Sequence, residues 1–222
     1  MIGFNSKAGW MEFPYLTVSS GLTKTYALAY KLTDNTGEKW TSRCIRFKNK
    51  DSKAFYGGAR LLYAAFPPLL AAMELEGKGC AFVCALSSSE TVADPDRQIP
   101  FITSELAAIV GAHSSIAAVS KQAHNKLHNL YKADQRDAEL EKAQYACGVL
   151  PAQNVFVFDD FVTRGGTLSR VARAIKTSNP EAMVYGVALA KTERVNYCPH
   201  PDNGHVPQQW DKIWTDGENE VA

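Results

Sequence analysis

The sequence predicts an α/β protein, a parallel sheet flanked by helices and preceded by an N-terminal β-hairpin. Three observations carry this. A continuous apolar run at 81–86 reads as a strand buried on both faces, and 154–158 and 182–189 read as further strands. Helical patterns at 103–111 and 166–177 separate them, and such alternation from residue 80 onward implies parallel strands joined by right-handed crossovers. The composition supports a substantial core: 45% of the 222 residues are hydrophobic and 21% charged, which excludes disorder for most of the chain.

Taken in order, Thr25 to Leu32 suits a strand, Asp34-Asn-Thr-Gly37 is turn chemistry, and Trp40 to Phe47 reads as the returning strand of a hairpin. Ser52 to Glu76 is helical. Pro67-Pro68 should end one helix there and start another, because proline lacks the amide donor and suits a first turn. Gly77-Lys-Gly79 stops the helix. Ala81 to Leu86 is a buried strand that runs into the polar loop Ser87-Ser-Ser-Glu90. Thr103 to Gly111 reads as a helix capped by Thr103 or Ser104, and Ser115 to Val119 as another buried strand. Lys121 to Arg136 is polar, with Lys121, Lys126, Lys132 and Arg136 as its basic residues; Asp137 to Cys147 can be helical. Asn154 to Phe158 is a strand, Gly166 to Thr177 a helix and Ala182 to Leu189 a strand. The tail from Asn196 is rich in Pro, Gly and polar residues, with Trp210 and Trp214 as anchors onto the body. The expected organisation is an extension over 1–50, a core over 51–195 and a tail over 196–222.

Charge and cysteines narrow the class. With 24 basic and 23 acidic residues the net charge is +1, so general steering toward nucleic acid or anionic membrane is not expected. Cys44, Cys80, Cys84, Cys147 and Cys198 are an odd, scattered set without C-x-x-C spacing, which fits a reducing compartment. The longest apolar run, Leu61 to Met73, is too short to span a bilayer, and Met1 to Trp10 has no signal core. The expectation is a cytoplasmic protein with no membrane partner. His124 and His128 are four apart, and Cys198, His200 and His205 lie in the tail; neither set supplies four ligands at zinc-finger spacing.

The chemistry concentrates in Val155-Phe-Val-Phe-Asp-Asp-Phe-Val-Thr-Arg-Gly-Gly-Thr167, where an apolar strand ends in two carboxylates, then a glycine loop, then a helix. In open parallel sheets ligands sit at the carboxyl ends of strands, where this loop must lie. The helix start offers unpaired amides and partial positive charge, and the glycines let a phosphate approach them. Carboxylates beside an anion cradle suit a ligand with hydroxyls and a phosphate, such as ribose 5-phosphate. No G-x-G-x-x-G opens a strand–helix unit, which argues against a dinucleotide-dependent dehydrogenase.

This segment resembles the phosphoribosyl pyrophosphate (PRPP) motif of type I phosphoribosyltransferases: four apolar residues, two acids, two apolar residues, then a Thr- and Gly-rich loop. The resemblance implies that fold. It also implies catalytic roles for Asp159 and Asp160 on the ribose hydroxyls, and a phosphate loop of Thr163, Arg164, Gly165, Gly166 and Thr167. Ser87 and Ser88 then fall in a pyrophosphate loop, and Lys126 and Arg136 in a mobile loop closing over substrate. The implied ligand is PRPP or a nucleoside monophosphate, with Mg²⁺ bound through the pyrophosphate, and the implied reaction is phosphoribosyl transfer to a nitrogen acceptor. Within the superfamily the chain is most similar to ComF-like proteins, associated with DNA uptake in bacteria. That likeness is close over 154–191, including Ala188-Leu-Ala-Lys191, and looser over 43–150. There Arg43 to Leu62 follows the family's basic strand and helix. Of a later Gln, Leu and Arg pattern only Arg136 is retained, with His128 and Tyr131 at the other positions. The chain lacks the four-cysteine zinc finger common in that family. Arg164 stands where a small residue is usual, and Thr163 where 6-oxopurine enzymes carry Asp. The alternative implied is a non-catalytic ComF-like protein serving ligand sensing, single-stranded DNA or a DNA-processing partner. A homodimer stays open.

Overall fold

A computed structural model describes residues 5–14, 16–17, 19–125, 132–198 and 206–221. Its centre is a mostly parallel seven-stranded sheet flanked by helices. The strands are β1 (Asn5–Lys7), β2 (Trp10–Phe13), β3 (Lys24–Leu32), β4 (Cys80–Cys84), β5 (His113–Ser114), β8 (Asn154–Val162) and β9 (Met183–Glu193), in the spatial order β1-β2-β3-β9-β8-β4-β5. The first three strands pair antiparallel; every other pairing in this sheet is parallel. A separate antiparallel pair joins β6 (Val119–Ser120) and β7 (Ala146–Cys147). The helices are α1 (Lys39–Lys48), α2 (Ser52–Ala72), α3 (Gln98–Val110), α4 (Ala133–Lys142), α5 (Gly166–Ser178) and α6 (Gln208–Asn219).

The pleat divides the central strands between two cores. Phe82, Phe156, Phe158 and Tyr185 face α1, α2, α3 and α6, whereas Val83, Val155, Val157 and Val184 face α5. Burial on both faces is what made β4, β8 and β9 readable as apolar runs. Phe66 of α2 sits at the centre of the first core, with its ring 5.2–5.3 Å from those of Phe82, Phe156 and Phe158.

Several elements differ from expectation. The N-terminal hairpin is β1–β2, turning at Ala8 and Gly9 with positive φ, whereas the expected returning strand, Trp40 to Phe47, is helix α1. Glu38 caps that helix by accepting from the amides of Trp40 and Thr41. Trp40, Cys44 and Phe47 then share a buried face at helical spacing. Helix α2 runs unbroken through Pro67 and Pro68, which sit on its outer side while Phe66, Leu69 and Leu70 are buried. That burial outweighs the two missing amide donors. Helix α3 begins at Gln98 rather than at Thr103, whose hydroxyl donates back to the carbonyl of Ile99; Pro100 suits the first turn. The expected strand 115–119 is instead mostly a short 3₁₀ turn at Ile116–Ala118, with β5 ending just before it and only Val119 entering β6. The helix expected over 137–147 is α4; it stops before Gln144, whose positive φ turns the chain into β7.

Segments on both sides of residues 50 and 195 share this body: β3 pairs with β9, and α6 lies on α2. Trp214 is 1% exposed and meets Trp40 edge to face at 5.8 Å. The guanidinium of Arg43 lies 4.8 Å from the Trp40 ring centre and 5.5 Å from that of Trp214. Gly57 leaves room for the second indole: a Cβ there would lie 2.6 Å from Trp214 Nε1. Trp214→Ala should therefore destabilise the fold by about 3–5 kcal/mol, the range for removing a buried aromatic, as measured by urea unfolding. A loss below about 1 kcal/mol would mean that α6 is not part of the cooperative core.

Candidate ligand-binding site

The connection after β4 runs through α3 to β5 at the sheet edge, while that after β8 runs through α5 to β9 on the other side. The two loops diverge, and α3 and α5 cover opposite faces. The crevice between the carboxyl ends of β4 and β8 is therefore a topological switch point, where open α/β sheets bind ligands. The two strands pair up to Cys84 and Phe158, and the amide of Ala85 donates to the Phe158 carbonyl at 2.8 Å. The loop holding Ser87 and the acid pair thus start side by side.

Strand β8 was expected to end at Phe158 but continues through both acids to Val162, because β9 goes on pairing with it after β4 has turned away. The ladder joins Asp159 to Ala188 and Phe161 to Ala190, passing over Asp160 and Leu189. At that break the side chains serve the backbone. Asp159 Oδ1 accepts from the Asp160 amide at 2.8 Å, and Asp160 Oδ1 from the Phe161 amide at 2.7 Å. Burial, then the neighbouring Asp160 charge, hold the Asp159 carboxyl well above its usual range; Arg97 acts in the opposite direction. The Tyr145 hydroxyl is buried with no partner among the described residues. Burial and the charge of Asp159 push its pKa up.

Thr163 is exposed, and Arg164, Gly166 and Thr167 are partly so. The residue that needs glycine's freedom is Gly165, at φ 80° and ψ 11°, which forms the N-cap of α5. Having no side chain, it cannot cap the first-turn amides of Gly166, Thr167 and Leu168, which intrahelical bonds leave unpaired. Gly166 has an ordinary φ, and a Cβ there would meet only the end of the Leu140 side chain, at 3.2 Å. Ser169 fixes the helix from behind through a hydrogen bond to the Ser20 carbonyl at 3.0 Å.

Across the crevice, Glu90 organises the serine loop. Its carboxylate accepts from the Ser87 amide and from Arg97 Nε, the latter at 2.8 Å, and Arg97 Nη2 donates to the Ala85 carbonyl at 2.7 Å. The Ser88 carbonyl accepts from the Lys121 ammonium at 3.1 Å and from the His124 amide at 2.9 Å. Lys121 is buried, which lowers its pKa against the pull of Glu90.

Ser87, Ser88, Asp159, Asp160 and the 163–167 loop thus gather at one crevice, although Glu90 already occupies the Ser87 amide. Arg136 lies on α4, where its amide bonds to the Lys132 carbonyl at 3.3 Å. Lys126, His128, Tyr131, His200 and His205 lie outside the described residues. Cys80 and Cys84 are fully buried, with thiols pushed to about 11 and about 12 by burial, so they are core residues. Arg97, Lys31 and Lys48 reach the site from other segments and had no local motif to reveal them. Lys48 Nζ lies 3.9 Å from Asp160 Oδ2.

Among the described residues no group of three or more His, Cys, Asp and Glu side chains is placed to hold a metal. The two adjacent acids, one held toward neutrality, do not fit a resident Mg²⁺ by themselves. Among the same residues no helix is long and apolar enough to cross a membrane. No protein-family model matches the chain, and no curated protein sequence matches it.

Proposed function

We propose that this protein has a type I phosphoribosyltransferase-like fold and binds PRPP, entering as its Mg²⁺ complex, at the crevice between β4 and β8. The observation that supports this reading is the convergence there of an acid pair, an uncapped helix start and a second loop carrying a guanidinium. The first-turn amides of α5 would take the 5′-phosphate, Asp159 and Asp160 the ribose hydroxyls, and Arg97 with the Ser87 loop the pyrophosphate. The phosphate is remote from the reacting carbon, so its binding energy serves to position the sugar. In the transfer, a lone pair on the acceptor nitrogen forms the bond to the anomeric carbon. The carbon–oxygen bond to pyrophosphate breaks with its electron pair leaving on that oxygen, and the acceptor's N–H proton passes to solvent. The chain contributes orientation and charge complementarity to this step.

The carboxylate of Glu90 on the Ser87 amide and Arg97 favours a second reading, a non-catalytic ComF-like protein that senses a phosphoribosyl ligand. Thermal unfolding separates the cases. Ligands bound only by the folded state raise Tm by mass action. Under the first reading Mg²⁺–PRPP shifts Tm more than ribose 5-phosphate does, and pyrophosphate is released with an acceptor. Under the second the shifts occur without release. No shift with either compound at millimolar concentration overturns both.

A further inference from the structure

Two ammonium groups converge on one aromatic ring beside the acid pair. Lys31, at the end of β3, places Nζ 5.7 Å from the Phe161 ring centre, and Lys48, at the end of α1, places Nζ 5.6 Å from the same centre. Lys48 reaches a carboxylate only at 3.9 Å, on Asp160, and among the described residues none lies within ion-pair distance of Lys31. Phe161 directly follows the acids and is partly exposed. The ring faces these cations as a weak, neutral partner.

The position of the cluster within the fold gives it a role. In a displacement at the anomeric carbon the acceptor enters opposite the leaving group. The pyrophosphate loop follows β4, on one side of β8. Strand β3 lies on the other side, beyond β9. Lys31 and Lys48 therefore stand on the acceptor's side of the ribose. We infer that Lys31, Lys48 and Phe161 select an acceptor that carries a carboxylate. A carboxylate conjugated to a flat heterocycle lies in the plane of its ring, so the heterocycle can rest against Phe161 while its carboxylate supplies the countercharge that the ring cannot. A neutral base offers these cations carbonyl acceptors but no countercharge. The inference rests on the phosphoribosyl reading, because that reading fixes which side the acceptor occupies.

Calorimetric titration of the full chain tests it, in the presence of Mg²⁺ and ribose 5-phosphate, with neutral and carboxylated rings of one shape: uracil against orotate and nicotinamide against nicotinate. The carboxylated member should bind about tenfold more tightly at low salt, with the preference shrinking as ionic strength rises. Lys31→Gln with Lys48→Gln should abolish the preference between the members of each pair while Mg²⁺–PRPP still raises Tm, and Lys31→Arg with Lys48→Arg should restore it. Equal affinity within each pair, or a preference that survives in the glutamine variant, overturns the inference even where Mg²⁺–PRPP binds. Failure of Mg²⁺–PRPP to bind the parent protein instead overturns the phosphoribosyl reading beneath it.

Discussion

Gly165→Val should lower affinity for ribose 5-phosphate by on the order of a hundredfold or more. Gly165 holds φ 80° at the N-cap of α5, a conformation that costs an L residue roughly 1–2 kcal/mol and a β-branched one more. The variant relieves that strain by turning the loop, and the amides of Gly166 and Thr167 turn with it. Hydrogen bonds to a charged group contribute roughly 1.5–3 kcal/mol each, so losing two accounts for the expected factor. Stability should fall only by the strain itself. Gly166→Ala is the control: its φ is ordinary, and its new methyl meets the movable end of Leu140, so the fold should tolerate it. Arg164→Ala should be milder than Gly165→Val, because the amides stay in place. Calorimetry decides: if the valine variant binds as the parent does, the start of α5 is not the phosphate site.

This result would separate what the sequence discloses from what it hides. The run from Val155 to Thr167 was legible because its parts are local: a doubly buried strand, adjacent acids and a glycine pair before a helix. Which glycine bears the positive φ was not legible, since the exit angle of β8 and the packing of α5 decide between two identical neighbours. Helix α1 was misread because Trp40, Thr41, Ile45 and Phe47 suit strands as single residues. Only the packing of Trp40 against Trp214 of α6 and of Phe47 against Gly58 of α2 selects the helical period. The two prolines of α2 misled for a related reason: the aromatic cluster around Phe66 buries the helix on either side of them and keeps it unbroken. The cations were least visible. Arg97 lies 62 residues before Asp159, Lys31 and Lys48 further still, and only the strand order brings them to one edge.

Asp159→Asn should make the unliganded protein more stable at pH 7, and together with Asp160→Asn should weaken phosphoribosyl binding about tenfold or more. The first effect follows from the raised pKa of the Asp159 carboxyl, caused by burial and by the charge of Asp160. A folded-state value above the unfolded one, about 3.9, means that the folded protein binds the extra proton. Its stabilising contribution is complete below the unfolded value and is lost as pH rises through the folded one. At neutral pH the wild-type acid therefore costs stability that an amide does not. Tm of the parent should fall as pH rises from the ordinary carboxylate range, and that slope should flatten in Asp159→Asn. Each kcal/mol regained is worth about 2–4 °C in a chain of this size. The fold survives because an asparagine oxygen can still accept the amides that Asp159 Oδ1 and Asp160 Oδ1 accept at 2.8 and 2.7 Å. Binding does not survive equally, because hydroxyl donors lose charged acceptors worth roughly 1.5–3 kcal/mol each. A residue that costs stability without ligand and gains its partners with ligand is what a binding site requires. If Asp159→Asn lowers Tm at pH 7, or if the double variant keeps full affinity for Mg²⁺–PRPP, the acid pair serves the backbone alone and the ribose hydroxyls bind elsewhere.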